Sequence, residues 1–362
     1  MEHAEEMNAI LEQIPLPAFI VREGLIVHAN SPALQRQLAP GQAIHDLLLT
    51  GHEEYAGFSG GCLYLTLDCC GIPSSVSVTR MGEDLHLFIF EQEEDLAELQ
   101  SMALAAQALR GPLSNVMTVA DQLFPLVGED DSPKAQEQIA RINRGLFQML
   151  RIVSNMSDAY RYSNERAPRT ELMNITAVIR EVLDQAAPLL AHTGTQLQYE
   201  GQMEPIYCLI DQEKLERAVN NLISNAIKFS PKGSTIRATL RQRGKMLYFA
   251  IQDNGSGIPQ HLRSGLYNRY HRQPGIEDSR FGIGLGMVLV RRAAMAHGGT
   301  VLIEEGTDFG LRVTMTIPIR QATGTKVRSP MIHVDYAGER SHALIELSDC
   351  LPPELYETDN VN

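Results

Sequence analysis

Two glycine-rich segments of the chain have the composition of a phosphate-binding site. Asp253–Pro259 (DNGSGIP) follows a strand-like apolar run, and Gly282–Gly286 (GIGLG) opens a helical pattern that continues to His297. Glycine lets a backbone approach a phosphate closely, and the first turn of a helix offers unpaired N–H groups at the positive end of its dipole. One such segment alone would be weak evidence for a site.

Ahead of both segments lies an amphipathic helical pattern, Leu215–Ser230, whose apolar residues recur every three or four positions. Asn221, Asn225 and Lys228 follow one another at i, i+4 and i+7, so they project from one side of this helix. Taken alone, they fit a merely solvated polar face equally well, because short motifs match by chance. The fixed order of polar helix, aspartate with glycine turn and glycine-rich helix start favours one common site.

In this order the three elements resemble the ATP-binding catalytic domain of sensor histidine kinases, within the wider family that includes gyrase-type and Hsp90-type ATPases. Asn221–Ala226 resembles the N box of that family, Asp253–Ile258 its G1 box and Gly282–Gly286 its G2 box. Leu266–Arg272 is similar to the F box, with tyrosines where phenylalanines are usual. The resemblance covers the last two-thirds of the chain up to about Arg320.

The resemblance also implies roles for individual residues. Asp253 would accept a hydrogen bond from the adenine amino group of ATP, and Asn225 would hold Mg²⁺ with Asn221 beside it. Lys228 and Arg272 would face the phosphates. Each glycine alone would be explained by an ordinary turn, but the ordered set is expected to shape the pocket and hinge its lid: Gly255, Gly257, Gly282, Gly284 and Gly286. The expected cofactors are ATP and Mg²⁺.

One position separates the branches of this family. The gyrase and Hsp90 branch carries a glutamate one turn before the Mg²⁺-binding asparagine, as general base for water, and this chain has Asn221 there. Without the base, attack by water is not promoted. The site is therefore expected to donate a phosphoryl group rather than to hydrolyse ATP.

Two long helical patterns precede the ATP-binding region. Leu99–Leu123 and Pro133–Tyr160 each carry an apolar stripe, and Phe124–Ser132 has the proline, glycine and aspartates of a loop. Two helices with one narrow seam each require a partner pair. A homodimer through residues 99–160, forming a four-helix bundle, is therefore expected. By resemblance, this is the dimerisation and phosphotransfer domain.

The first of these helices departs from the family. Its segment Gln107–Leu113 (QALRGPL) aligns with the His-Glu-Leu-Arg-Thr-Pro-Leu H box. Gln107 stands at the phosphoacceptor histidine position, and a carboxamide nitrogen has no lone pair to attack a phosphoryl group. Ala108 replaces the acidic neighbour, and Gly111 replaces the residue that positions water for phosphatase activity. Neither predicted helix contains a histidine, so self-phosphorylation there is not expected.

Residues 1–92 have the pattern of a small sensor module. Two short strands, AFIV and LIVH, are followed by helical patterns and by three alternating strands, Cys62–Asp68, Ser74–Arg80 and Leu85–Glu91. This order, with Asn30 closing the second strand, resembles a PAS domain. A ligand-free dimerisation module explains the pattern about equally well, because a fold does not settle a function.

The patterns divide the chain into four parts. They are a PAS-like module at 1–92, a helical domain at 93–165, an ATP-binding catalytic domain at 166–320 and a C-terminal tail at 321–362. The expected fold class is multidomain α+β, with a PAS-like α/β module, a two-helix hairpin and a Bergerat-type α/β sandwich.

Within the last two parts, Met173–Leu190 is predicted to be helical and Asp211 to cap the central helix. Predicted strands are Gln196–Glu200, Ile206–Ile210, Thr235–Gln242, Met246–Ile251, Gly299–Glu304 and Gly310–Ile317. In the tail, Met331–Tyr336 is a possible strand. The pattern of Glu339–Leu351 predicts a helix that docks on its own domain.

Composition restricts the partners and the compartment. The net charge of −13 argues against nucleic acid or an anionic membrane surface as the main partner. The chain has no apolar run long enough to span a bilayer and no N-terminal signal, so a cytoplasmic protein is expected. Five cysteines without metal-ligand spacing fit reduced thiols. Adjacent Cys69 and Cys70 lie in a strand-like run and are expected to be buried.

Three functions remain open on the sequence alone. The first is a sensor histidine kinase homologue that uses Mg·ATP to phosphorylate a protein group, with a response regulator or a partner kinase as partner. The second is a degenerate kinase whose ATP site regulates a partner without phosphotransfer. The third, an anti-sigma-type serine kinase, shares the ATP boxes but leaves the helical hairpin and the N-terminal module unexplained.

Overall fold

The structure is a computed structural model, and it describes residues 9–82, 84–91, 96–128, 133–165, 168–257, 285–306, 310–321, 328 and 340–358. Within these ranges the chain has a mixed α+β fold, as expected. None of the helices there combines the length and the apolar character that are needed to cross a membrane.

The N-terminal region forms an antiparallel sheet in the order β2-β1-β5-β4-β3, which confirms the strands that were predicted for it. The strands are β1 Ala18–Arg22, β2 Leu25–Ala29, β3 Cys62–Cys69, β4 Ile72–Arg80 and β5 Leu85–Phe90. Between β2 and β3 lie three short helices, α1 Ser31–Gln35, α2 Ile44–Leu47 and α3 His52–Ala56. Asn30 links β1 to the start of α1, because its Oδ1 accepts hydrogen bonds from the backbone N–H groups of both Ala18 and Ala33.

The prediction that both adjacent cysteines are buried is wrong for one of them. Cys69 ends β3 and is buried, whereas Cys70 is exposed in the turn before β4. Cys70 has a φ of 58°, in the left-handed region. The tight connection of two antiparallel strands requires this conformation, and it turns the second thiol away from the core.

Two long helices form the hairpin, α4 Leu96–Gly128 and α5 Pro133–Asn164. They pack through an apolar seam that includes Leu113, Met117 and Leu150. The predicted loop at Phe124–Ser132 is too long, because α4 continues through Pro125. Proline removes one backbone hydrogen bond from a helix. The packing of the preceding turns against α5 maintains the helix despite that loss.

The part of the chain that resembles an ATP-binding catalytic domain, called the ATP-binding region below, contains three helices and seven strands among the described residues. The helices are α6 Ile175–Ala191, α7 Gln212–Phe229 and α8 Gly286–His297. The strands are β6 Glu171–Asn174, β7 Gln196–Gly201, β8 Tyr207–Ile210, β9 Thr235–Arg243, β10 Met246–Gln252, β11 Val301–Glu305 and β12 Leu311–Pro318. The prediction that Met173 begins a helix is wrong, because β6 pairs with β8 and the side chain of Asn174 caps α6 by accepting the N–H of Ala177.

The N-terminal sheet and the sheet of the ATP-binding region are continuous. Strand β3 pairs antiparallel with β11, which gives one ten-stranded sheet in the order β2-β1-β5-β4-β3-β11-β12-β10-β9-β7. A buried cation supports the junction from α8, since Arg291 forms an ion pair with Glu91 and lies 5.2 Å from the ring centroid of Tyr64.

The C-terminal tail docks on the body of the protein through a shorter helix than was predicted. Helix α9, His342–Glu346, is followed by turns and by a 3₁₀-helix at Pro353–Tyr356. This segment contacts both α5 and α7, so it bridges the hairpin and the ATP-binding region. The proposed strand at Met331–Tyr336 lies outside the described residues.

Candidate functional site

Helix α7 is the centre of the candidate site. It buries Leu215, Val219 and Ile223 completely, and this apolar face fixes the direction in which the opposite face projects. Its first turn is capped as predicted, because Asp211 Oδ1 accepts the N–H of Lys214 at 3.2 Å. The face that carries Asn221 and Lys228 is turned towards α5, α8 and the C-terminal segment.

Asp253 lies directly after β10, at the level of the end of α7. Its Oδ1 accepts two backbone hydrogen bonds, from Gly255 at 2.8 Å and from Leu311 at 3.0 Å. Among the described residues no donor is bonded to Oδ2, which leaves this oxygen for a ligand. Burial raises the pKa of the Asp253 carboxyl, and the two N–H groups partly offset the rise by stabilising the ionised form.

Two glycines permit two different elements to contact α7. A Cβ on Gly255 would lie 2.4 Å from the carbonyl oxygen of Phe229, at the end of α7. A Cβ on Gly286, the first residue of α8, would lie 2.6 Å from Oδ1 of Asn221. Both separations are too short for any side chain. Gly255 of the G1 turn and Gly286, the last glycine of the G2 box, therefore lie directly against α7.

A buried histidine also couples α8 to the start of α7. The backbone N–H of Asp211 donates to Nε2 of His297 at 3.0 Å, and Nδ1 of His297 lies 2.7 Å from the carbonyl oxygen of Ala293. Because Nε2 accepts a hydrogen bond, Nδ1 carries the proton and donates to that carbonyl. Burial is the main cause that lowers the pKa of His297. No pattern in the sequence had singled out this residue.

The polar residues of the N box have different surroundings. Asn221 is buried, its Nδ2 donates to the carbonyl oxygen of Arg217 at 2.8 Å, and its Oδ1 lies next to Gly286. Asn225 is half-buried, and its side chain makes no hydrogen bond with another described residue. An amide oxygen in that position is suited to a hard cation such as Mg²⁺.

Lys228 is held by the C-terminal segment. Its Nζ lies 2.9 Å from Oδ2 of Asp349, and the same oxygen lies 2.5 Å from Nη1 of Arg151 on α5. Burial and the nearby Arg151 lower the pKa of Lys228. Sequence reasoning missed Arg151 and Asp349, because neither belongs to a recognisable motif. The one sequence feature that could have pointed to Asp349 is the pair of acidic residues in the tail segment IELSD at 345–349.

The segment that resembles an H box lies on an accessible surface of α4. Gln107, Ala108 and Gly111 are all exposed, and a Cβ at Gly111 would meet no atom within 4 Å. Nearby, Nη2 of Arg110 donates to Oγ of Ser157 on α5 at 3.3 Å. The carboxamide of Gln107, for which the sequence resemblance predicts the phosphoacceptor position, is thus open to solvent, and its neighbour at position 108 is an alanine.

Part of the predicted site lies outside the described residues. This holds for Arg272 with the rest of the F box, for the lid, and for Gly282 and Gly284 of the G2 box. Gly257 is described and adopts a φ of +71°, which favours glycine. The described part of the site thus contains the N box, the G1 turn and the last glycine of the G2 box.

Comparison with known proteins identifies the type of ATPase domain. Residues 210–321 match the family described as histidine kinase-, DNA gyrase B- and HSP90-like ATPase. The chain is 27% identical over 254 residues to hybrid signal transduction histidine kinase D of Dictyostelium discoideum, covering 67% of this chain and 16% of that protein. It is 26% identical over 245 residues to the swarming motility regulation sensor protein RssA of Serratia marcescens, covering 65% of this chain and 51% of that protein.

The match therefore spans about half or less of the length of these two relatives. Among solved structures, full-length ShkA in complex with AMPPNP is similar in fold, with a TM-score of 0.50 and 19% identity over 62% of this chain and 46% of that one. Residues 210–321 therefore form an ATPase domain of the histidine kinase, gyrase B and HSP90 type, and the chain as a whole is similar to sensor histidine kinases.

Proposed function

We propose that this chain is a signalling protein of two-component type that binds Mg·ATP between α7, the turn after β10 and the start of α8. The observation that carries the proposal is the Asp253 carboxylate, which is buried and anchored through Oδ1 while Oδ2 is left for a ligand. A buried carboxylate oxygen is suited to accept a hydrogen bond from the amino group of adenine.

The other residues of the site fit this ligand. Asn225 would supply an amide oxygen to Mg²⁺, with Asn221 beside it, and Gly255, Gly257 and Gly286 leave room for close backbone approach. Lys228 can bind the phosphates only when its ion pair with Asp349 is broken. We also assign Arg272, Gly282 and Gly284 to this site by sequence resemblance. Bound Mg·ATP would supply a γ-phosphoryl group with its charge partly neutralised.

The acceptor of that phosphoryl group is not position 107 of the same chain. Gln107 is exposed but offers no nucleophilic nitrogen, and position 108 offers no carboxylate to assist proton removal. A histidine or another group on a partner protein, such as a partner kinase or a response regulator, would therefore receive it. We propose a homodimer through residues 99–160 and domain limits at 92, 165 and 320.

A second function is favoured by two observations together. Position 107 lacks a nucleophile, and the carboxylate of Asp349 forms an ion pair with Lys228 of the N-box helix. An ATP-binding pseudokinase that changes conformation and regulates a partner, without phosphotransfer, explains both. The two functions share the nucleotide site and differ only in the fate of the γ-phosphoryl group.

The test is incubation of the full chain with Mg²⁺ and γ-labelled ATP, with bound nucleotide, protein label and released phosphate followed together. Asp253→Asn is the matched control, because its Oδ1 can still accept the N–H groups of Gly255 and Leu311. Binding that this variant weakens by about 10- to 100-fold supports the nucleotide site. Label that appears on an added partner supports the kinase, and binding without transfer supports the pseudokinase. Failure of the wild-type chain to bind overturns both.

Restoring the H box tests the assignment of position 107. We expect Gln107→His alone to give little labelling, because Ala108 cannot assist the loss of a proton from the imidazole. The double variant Gln107→His with Ala108→Glu should be labelled more strongly. Robust labelling of the single variant would show that the acidic neighbour is dispensable.

A further inference from the structure

We propose that residues 340–358, the C-terminal segment, compete with the phosphates of Mg·ATP for Arg151 and Lys228, and thereby regulate access to the nucleotide site. This inference rests on the proposed binding of ATP. It adds a regulatory element from the same chain, and it names the anion chemistry that displaces that element.

The central contact has the form of an anion site. One carboxylate oxygen, Oδ2 of Asp349, bridges two cations, at 2.5 Å from Nη1 of Arg151 and 2.9 Å from Nζ of Lys228. A phosphate oxygen makes the same kind of bridge between a guanidinium and an ammonium group. Asp349 thus occupies these cations with chemistry that resembles the proposed ligand.

Arg151 connects this contact to the N box itself. Its Nη2 donates to Oγ of Ser224 at 3.1 Å and lies 3.5 Å from Oδ1 of Asn221. Ser224 also contacts the segment, since its Oγ lies 3.5 Å from Sγ of Cys350. A residue of the hairpin and a residue of the tail therefore meet on the polar face of α7 on which the nucleotide is expected to bind.

The charges of this ion-pair network show what removal of the segment would do. Arg151, Arg217 and Lys228 pair in it with three carboxylates, Asp158, Glu346 and Asp349. Asp158 also pairs with Arg161, whose charge is balanced by Glu213. The segment supplies two of the three carboxylates. Without it, three cations face one carboxylate, which leaves a net charge of +2 in a partly buried site. Such a site attracts a polyphosphate.

The segment is held by more than these charges. Tyr356 is fully buried, its ring centroid lies 5.2 Å from that of Phe147, and its hydroxyl donates to the carbonyl oxygen of Leu344 at 2.7 Å. Arg144 donates to the carbonyl oxygens of Ser348 and Asp349 at 3.1 and 3.2 Å. Docking is therefore specific, and ATP must displace part of a built interface.

Competition of this kind lowers the apparent affinity for nucleotide. When only a fraction of the molecules have Lys228 free, the apparent dissociation constant rises by the inverse of that fraction. By linkage, bound nucleotide shifts the segment towards release to the same extent. Any partner that captures the released segment would then favour the nucleotide-bound state.

The test compares binding of AMPPNP with Mg²⁺ to the full chain and to Asp349→Asn. The variant removes the competing charge and keeps the shape of the side chain, so we expect affinity to rise by about fivefold or more. Glu357→Gln is the matched control, because it removes an exposed carboxylate of the same segment outside the ion-pair network. An unchanged affinity in Asp349→Asn, with binding otherwise intact, overturns the competition while the proposed function stands.

A second measurement needs no variant and so does not depend on whether Asp349→Asn folds. Hydrogen exchange of residues 342–356 in the wild-type chain should accelerate when AMPPNP and Mg²⁺ are added. Binding without faster exchange in this segment contradicts the inference. Absence of binding in the wild type and in both variants overturns the inference and the proposed function together.

Discussion

Tyr64 of β3 and Val301 of β11 face each other in an antiparallel pair, at the point where the N-terminal sheet continues into the sheet of the ATP-binding region. The pairing continues through Leu63 with Leu302 and Cys62 with Ile303. Backbone hydrogen bonds across this junction make the position of the N-terminal module a direct constraint on β11. A displacement of β3 would therefore act directly on the strand that follows α8.

Gly61 offers a test of this junction. It has a φ of +86°, and a Cβ there would lie 2.2 Å from the carbonyl oxygen of Ile303. We expect Gly61→Ala to lower the free energy of unfolding by about 1–3 kcal/mol more than the strain of the backbone conformation alone, because the β3–β11 pair must separate. Chemical denaturation measures the loss, and hydrogen exchange at Val301 and Ile303 locates it.

Gly24→Ala is the control for this substitution. Gly24 has a φ of +79°, but a Cβ there would meet no atom within 4 Å. It therefore carries the conformational strain without the clash. Equal losses in the two variants, with unchanged exchange in β11, would contradict the role given to Gly61.

The Asp253 carboxylate predicts the pH dependence of nucleotide binding. Burial raises its pKa, so the carboxyl group takes up a proton at a higher pH than an exposed aspartate would. Adenine binding needs the ionised form as acceptor, and affinity is expected to fall as pH is lowered through that raised pKa. The folding stability of the protein without nucleotide has the opposite pH dependence. It rises as pH is lowered through the raised pKa, because protonation removes the cost of burying the charge of Asp253.

Asp253→Asn should weaken nucleotide binding by about 10- to 100-fold, since a hydrogen bond to a charged group contributes about 1.5–3 kcal/mol. The amide nitrogen of the variant would face the adenine amino group. Both groups are hydrogen-bond donors, so no hydrogen bond can form between them. Fluorescent nucleotide titrations between pH 4 and pH 8 measure both effects, and the variant corrects for titration of the nucleotide itself. An equal pH dependence in the two proteins would exclude Asp253 as the titrating group.

His297 predicts a separate loss of stability in acid. Its pKa is lowered in the folded state, so the unfolded chain binds more protons below about pH 6.5, the ordinary histidine value. The contribution of neutral His297 is therefore complete above that pH and is lost progressively as pH falls towards the folded-state pKa. Asp211, Lys214 and Arg320 are the charged groups that influence it.

Urea denaturation of the wild type and of His297→Gln at pH 7.5 and pH 5.5 measures this contribution. The glutamine amide can accept the N–H of Asp211 but does not titrate. We expect the stability difference between the two pH values to be smaller in the variant. A difference as large as that of the wild type would assign the acid sensitivity to another group.

The exposed stripe of α4 predicts the oligomeric state. Leu109, Val116, Val119 and Leu123 are each at least half exposed in the single chain, although they belong to the predicted apolar seam. A second copy of the hairpin would cover them. We expect Val116→Asp with Val119→Asp to shift a dimer to monomer in analytical ultracentrifugation, because a buried unpaired charge is strongly unfavourable.

Ser114→Asp is the matched control, since it places one carboxylate on an exposed position of α4 away from this stripe. It should leave the dimer intact. If the wild-type chain and the Ser114→Asp control both sediment as monomers, the proposed dimer through residues 99–160 is wrong.

Much of the fold was predictable because its signals are local. The amphipathic spacing of α7, the capping residue Asp211 and the alternation of the strands depend on neighbours a few positions away in the chain. The resemblance of Asn221–Ala226 to an N box and of Asp253–Ile258 to a G1 box was visible for the same reason, since the spacing of these residues is preserved in the linear sequence. The errors at Met173 and Pro125 concern ends of helices, where pairing with a distant strand or helix outweighs local preference.

The residue types available at the proposed nucleotide site and at position 107 can be read from the linear chain. The tertiary structure alone decided that β3 joins β11, that His297 binds the start of α7, and that Asp349 holds Lys228. These contacts join residues that are 86 to more than 200 positions apart. Contacts of that kind arise from the packing of whole elements, and no local pattern of residues encodes which distant partner a side chain will meet.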